Sequence, residues 1–151
     1  MSKMPESSKM NINNKCAGGV FTTPEGNVIF QLRDDKPGIN SPGMVHVFGG
    51  GLEAGETDWQ AFLREMEEET GLPRIRLSTA RYLCKLEEEV EGSSERNEVY
   101  LCVVPDVLPE EIVVAEGQGI VVIKPEQPTD PRFTPLAREV LRRVITEREE
   151  L

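Results

Sequence analysis

Histidine is almost missing from this sequence and cysteine is scarce. One histidine, His46, and three cysteines, Cys16, Cys84 and Cys102, stand among 151 residues. A lone histidine rules out a poly-histidine metal centre within one chain. Three scattered cysteines exclude a four-cysteine zinc site and a disulfide scaffold, so a reducing cytoplasm is the expected setting. Basic side chains are outnumbered by acidic ones, 17 to 27, which leaves a formal net charge of -10. Such a surface repels polyanions, and neither long nucleic acid nor an anionic membrane is an expected partner. No apolar run approaches the length that spans a bilayer. Residues 1–15 lack the apolar segment of a secretory signal and read as a frayed tail before one domain over residues 16–151. Aromatics make up only 5%. Phe21, Tyr82, Tyr100 and Phe133 are candidates for stacking on a base, and each serves a core equally well.

What the chain does have is ordered. Gly18 to Thr23 and Val28 to Arg33 read as a hairpin around Pro24-Glu25-Gly26-Asn27. A loop rich in proline and glycine follows, and Met44 to Phe48 is a short apolar strand that ends in Gly49-Gly50-Gly51. Arg81 to Glu87 and Glu98 to Val104 read as paired antiparallel strands, and Gly119 to Ile123 as a further β-branched strand. The stretch Glu110 to Glu116 is ambiguous. Thr134-Pro135 opens a final helix with threonine at the cap and proline just inside it. Strands, helix, strands, helix within 151 residues predicts one α/β domain, a mixed β-sheet flanked by helices.

A central helix is predicted from about Asp58 to Thr70. Thr57 and Gln60 have the spacing of a capping box, and Gly71 supplies a left-handed stop. Trp59, Phe62, Leu63, Met66 and Thr70 share one stripe at the 3.6-residue period. Glu65, Glu68 and Glu69 fall on another arc, where like charges three and four apart oppose the helix. Glu65 and Glu69 lie in its later half and gain nothing from the helix dipole. A bound cation explains that arrangement, and hard carboxylate oxygens suit Mg²⁺ near phosphates. A plainly solvated acidic helix is the other reading. The three glycines before the helix permit a tight turn or a close approach to a ligand, or else form a linker. Glu53 and Glu56 lie between them and the helix and can fold back toward the same cluster. No Gly-Lys-Ser/Thr follows, so this is not a phosphate-binding P-loop.

Gly50, Glu56, Arg64-Glu65-Met66, Glu68-Glu69 and Gly71-Leu72 resemble the Nudix hydrolase signature at every fixed position and spacing. The resemblance implies an α/β/α sandwich with a mixed sheet. It also implies hydrolysis of nucleoside diphosphates linked to another group, with Mg²⁺ or Mn²⁺. Carried over, it makes Glu65 and Glu69 metal ligands. Glu68 joins them or handles the attacking water, and Glu56 is an additional or supporting ligand. Arg64 orients Glu65 or neutralises surplus acid. Gly50 and Gly51 lie against substrate. Glu116 resembles a carboxylate that some triphosphate-cleaving members place before their last core strand, where it is a further ligand or the general base; a simple acidic turn is the alternative. Glu98 is a weaker candidate of that sort. Arg33 holds a distal phosphate or is only an edge-strand charge. Phe48 stands where many relatives have proline, and His46 where an aromatic is common. The proline of the ADP-ribose subgroup is replaced here by Glu87-Glu88-Glu89.

The expected substrate is a small phosphorylated nucleotide, either a nucleoside triphosphate or a diphosphate conjugate. A nucleotide-sensing domain without catalysis is the competing class. A homodimer is the default assembly.

Overall fold

The computed structural model describes residues 14–90, 92–127 and 130–149. Most of the expected frayed tail therefore lies outside the described residues. The first strand, β1 (Lys15–Thr22), is the seam of a seven-stranded sheet. On one side it pairs in parallel with β6 (Arg96–Val104) from Lys15 to Phe21. On the other it changes partner. Cys16 to Gly19 pair antiparallel with β4 (Phe48–Gly51), while Phe21 and Thr22 pair with β2 (Val28–Leu32). β7 (Gly119–Ile123) runs along the outer edge of β2, β3 (Val45–His46) pairs with Gln31 and Leu32 on the edge that β1 uses at Val28 and Ile29, and outside β6 lies β5 (Arg81–Glu89). The sheet is mixed, as the order of elements predicts.

Alternation along the strands splits the core into two layers. Val20, Val28, Phe30, Leu101 and Val103 face α3 (Pro135–Glu149), which contributes Leu136, Val140 and Val144. Phe21, Ile29, Cys102 and Val104 face α1 (Asp58–Thr70), which contributes Phe62, Leu63 and Met66. A four-residue helix, α2 (Arg74–Leu77), and a 3₁₀ turn at Pro109–Glu111 complete the elements. This is a helix–sheet–helix sandwich. Burial lifts the thiols of Cys16 and Cys102 to about 11 and raises that of Cys84, so none is a ready nucleophile at neutral pH. Among the described residues, no helix is long and apolar enough to cross a membrane.

The glycine run corrects one expectation. Gly49 to Gly51 do not form a turn; they are most of β4, separated from β3 only by Val47. The reason is close backbone packing. A Cβ on Gly18 would lie 1.9 Å from the Phe48 carbonyl oxygen, and one on Gly49 2.3 Å from that of Ala17. Gly49 also has φ +143°, which side-chain-bearing residues rarely adopt. Two glycine-rich strands thus approach closely enough to carry the β4 backbone over α1.

The same crowding makes a testable prediction on the other side of β1. A Cβ on Gly19 would lie 2.1 Å from the Cys102 carbonyl oxygen, whereas one on Gly51 meets only the Lys15 oxygen at 3.8 Å. In urea denaturation, Gly19→Ala should lose about 3 kcal/mol or more, the upper part of the overpacking range. Gly51→Ala should stay within about 0.5 kcal/mol of the parent. Equal stabilities would contradict this packing of β1.

Candidate active site

Helix α1 is fixed at both ends by its own sequence. The Gln60 N–H donates to Thr57 Oγ1 at 3.1 Å, and the Thr57 N–H to Gln60 Oε1 at 3.0 Å. Gly71 closes the helix at φ 73° and donates its N–H to the Glu67 carbonyl. The buried stripe of Phe62, Leu63 and Met66 sets the rotation about the axis. That rotation carries Arg64, Glu65, Glu68 and Glu69 toward β4 and the segment leading into the helix.

Arg64 is the hub. Its Nε and Nη2 donate to the two oxygens of Glu56 at 2.6 and 2.9 Å, a bidentate fork. Nη2 also donates to the Gly51 carbonyl at 3.0 Å, and Nη1 to Glu65 Oε2 at 3.0 Å and Glu68 Oε1 at 3.4 Å. Glu53 Oε2 lies 3.7 Å from Nη1. The fork therefore goes to Glu56, and Glu65 receives a single bond. Glu56 also accepts the Glu53 N–H at 2.8 Å, so both its oxygens are engaged. Hydrogen bonds from Arg64, then from the Glu53 backbone, bring the Glu56 carboxyl down to about 2.

Glu69 has a different environment. Its Oε1 accepts the Gly49 N–H at 3.1 Å. Burial outweighs that bond and, with the negative charges of Glu65 and Glu116, lifts its carboxyl to about 7. Burial raises Glu65 as well, against the pull of Arg64. Gly50 leaves the room that Glu65 occupies, since a Cβ there would lie 2.6 Å from the Glu65 carboxylate. Gly50 thus faces Glu65, and Gly51 supplies its carbonyl to Arg64.

Two cavities share only Arg33 among their lining residues, and one of them reaches this helix at Glu69. One, of about 180 Å³, is lined by Gln31, Lys36, Glu69 and Glu116 among others. It places Glu116 beside Glu69, because Ala115 donates its N–H to the Glu69 carbonyl and thereby ties the segment before β7 to the end of α1. The other cavity, of about 190 Å³, is lined by Gly49, Gly50, His46 and Glu88 among others. Arg33 donates its Nε to the Asn40 carbonyl at 2.7 Å. Glu98 is not brought to the cluster; it pairs with Lys85 at 3.7 Å. None of the four aromatic candidates lines either cavity. Phe21 and Phe133 are in the core, and Tyr82 stacks on Tyr100. Sequence reasoning passed over Glu88, which lines the second cavity and pairs with His46. Two residues on separate strands give no local signal of such a pair.

The acidic set fits a divalent cation in its donors. Glu65, Glu68 and Glu69 offer hard oxygens, and the two more buried ones have raised carboxyls with incomplete compensation. Among the described residues, though, no three acidic, histidine or cysteine side chains already form a cation cage. Arg64 lies between Glu56, Glu65 and Glu68, and Glu69 is turned to Gly49. Binding would therefore require side-chain rotation.

The raised Glu69 carboxyl gives a pH prediction for the metal-free protein. Folding lifts it from 4.5 to about 7. The folded state then holds a proton that the unfolded state has lost, so the contribution of Glu69 to stability is full below pH 4.5 and falls as pH rises toward 7. Thermal melts across that window should show a steeper loss in the parent than in Glu69→Gln. Parallel curves would contradict this environment for Glu69.

The NUDIX domain model matches residues 13–144. No curated protein sequence resembles the chain closely enough to count as a match. Among solved structures, a MutT Nudix hydrolase from Burkholderia pseudomallei aligns at TM-score 0.68 with 21% identity, covering 87% of this chain and 97% of its own. The dihydroneopterin triphosphate pyrophosphohydrolase of E. coli aligns at 0.65 with 18% identity, covering 88% and 96%. An Ap4A hydrolase from C. elegans aligns at 0.65 with 19% identity, covering 91% and 98%. At these identities the structures speak for the fold, and the family match carries the assignment. The chain belongs to the NUDIX domain family and is, by that membership, a pyrophosphohydrolase.

Proposed function

We propose that this chain hydrolyses a pyrophosphate linkage in a small nucleotide, with Mg²⁺ or Mn²⁺ held by Glu65, Glu68 and Glu69. The observation that carries the reading is the excess of acid around one guanidinium. Arg64 contacts four carboxylates, and Glu69 and Glu116 add negative charge beyond it. A cation bound there would neutralise phosphate oxygens, stabilise the leaving group and acidify water.

The chain's own residues have separable parts in this scheme. Arg64 fixes Glu56 by the fork and ties the helix to the Gly51 carbonyl, which holds β4 against α1. Glu65 and Glu69 are the first ligands. Glu68, the most exposed of the three at 59%, is a third ligand or receives the proton of the attacking water. Glu116, which lines the cavity with Arg33 and Glu69, is the alternative base. Arg33 lines both cavities and is suited to hold a phosphate between them. No covalent intermediate is called for. Intact carboxylates count against a purely sensing domain, which has no need of the full set.

Two measurements test this reading. A panel of nucleoside triphosphates and diphosphate conjugates, run with Mg²⁺ and with chelator, should give chelator-sensitive cleavage, with products identified by mass. Pyrophosphate release would assign a triphosphate; a nucleoside monophosphate with a phosphorylated partner would assign a conjugate. No turnover on any member would contradict the proposal. The second measurement divides the glutamates. Glu69→Gln should cost at least about 100-fold in kcat at saturating substrate and metal, the scale of losing a charge-stabilising or proton-transfer group. Among the described residues Glu67 pairs with Arg74 at an exposed site, 3.3 Å away, so Glu67→Gln should stay within about twofold. Equal activities would remove the helix from the mechanism.

A further inference from the structure

The second cavity has a wall unlike the acidic cluster. Cys16, Val47, Val99 and Leu136 give it apolar sides, and Glu88 lines it with Asn97 and His46. At about 190 Å³ it falls short of the roughly 300 Å³ at which drug-sized pockets begin, so it suits one ring system rather than a whole nucleotide. Gly49, Gly50 and Arg33 also line it, and Arg33 lines the acidic cavity with Glu69 as well, so a ring seated here has a route for its phosphates along Arg33 to that cavity.

Glu88 is positioned from two directions. Its cross-strand partner is Asn97, on the same face of β5 and β6. His46 Nε2 lies 3.1 Å from Glu88 Oε2, and His46 Nδ1 lies 2.6 Å from Thr134 Oγ1. Thr134 already accepts the Ala137 N–H at 3.1 Å as the cap of α3. Its hydroxyl hydrogen is therefore available to Nδ1, which leaves Nε2–H to face Glu88. Burial raises the Glu88 carboxyl, but the bonds from His46 and Asn97 and the charge of Arg33 outweigh it, and the net shift is downward. Glu88 is thus an ionised acceptor in a half-dry cavity. A carboxylate has about four lone-pair sites, and His46 and Asn97 use two.

We infer that this cavity reads the base of the nucleotide. Glu88 selects a ring that presents an N–H beside an exocyclic amino group, the edge shared by guanine and the 2-amino-4-oxo pterins. Two adjacent donors match two carboxylate oxygens, in the way that a guanidinium does. Adenine and cytosine place a ring acceptor next to the amino group and face the carboxylate with a lone pair. Uracil and thymine offer one N–H between two carbonyls. The placement of the phosphates rests on the hydrolase reading above; the base preference does not need turnover.

Calorimetric titration with GMP, IMP and AMP tests it. IMP keeps the ring N–H and lacks the amino group, and AMP lacks the ring N–H. GMP should bind at least about tenfold more tightly than IMP, the scale of one hydrogen bond to a charged acceptor, with AMP weaker still. Glu88→Gln should weaken GMP by about tenfold or more and abolish the order. Glu87→Gln, whose side chain is 67% exposed and pairs with Arg96, should keep both. If Glu88→Gln fails to fold, the ligand series with the parent protein decides alone. Guanosine against neopterin separates the two sources of the edge, and tighter binding of either assigns it. Equal affinity for GMP, IMP and AMP, or an unchanged order in Glu88→Gln, would overturn the inference. A chain that binds GMP selectively yet cleaves nothing would instead contradict the hydrolase proposal, and one that cleaves all bases alike would contradict only the base preference.

Discussion

Arg64 stands 18% exposed with four carboxylates and one backbone carbonyl around it, and the candidate site depends on that contact. A guanidinium has five donors in a fixed plane, so it can hold several acceptors in one mutual arrangement. Here it locks Glu56 by two bonds, pulls Glu65 and Glu68 toward the same side, and anchors β4 through Gly51. One positive charge cannot neutralise this many acids. Burial disfavours the charged forms of Glu65 and Glu69 and lifts both carboxyls. A helix stable on its own terms would not gather carboxylates this way.

Two backbone features make that arrangement reachable. The glycine-rich parts of β1 and β4 approach so closely that a Cβ on Gly18 or Gly49 would clash with the opposing strand. Gly50 clears space for the Glu65 carboxylate. The sheet also divides at β1, which pairs with β4 along its first half and with β2 further on. Arg33 lines two cavities. An acidic cavity forms toward Glu69 and Glu116, and a mixed apolar and polar one toward Glu88. On the proposed reading, phosphate chemistry and base selection would occupy separate cavities that share Arg33.

Much of this was legible locally. Thr57, Gln60 and Gly71 bound α1 because capping is a short-range effect, and the structure places the helix at Asp58–Thr70 as their spacing predicts. Thr134 and Pro135 likewise mark the start of α3. The pairing of β5 with β6 follows from two alternating segments joined by a short turn. The glycine run misled as to form, because a glycine that permits a turn and one that permits close strand packing look alike in sequence. Long-range partners left no trace either. The commitment of the Arg64 fork to Glu56 and the contact of His46 with Glu88 depend on how elements cross. Glu116 comes beside Glu69 only because the ambiguous stretch before it lies as backbone along the end of α1, with Val113 and Ala115 bonded to Thr70 and Glu69.

The central claim is that the acidic arc of α1 takes up a divalent cation. Titrating Mn²⁺ into isotopically labelled protein and following backbone amide signals tests it without any assumption about substrate, since a paramagnetic ion broadens only nearby resonances. The account predicts early, saturable broadening centred on Gly49 to Gly51 and on Glu65 to Glu69, displaced by excess Mg²⁺. Broadening that never saturates, or that centres on the other acidic run at Glu87 to Glu89, would contradict it.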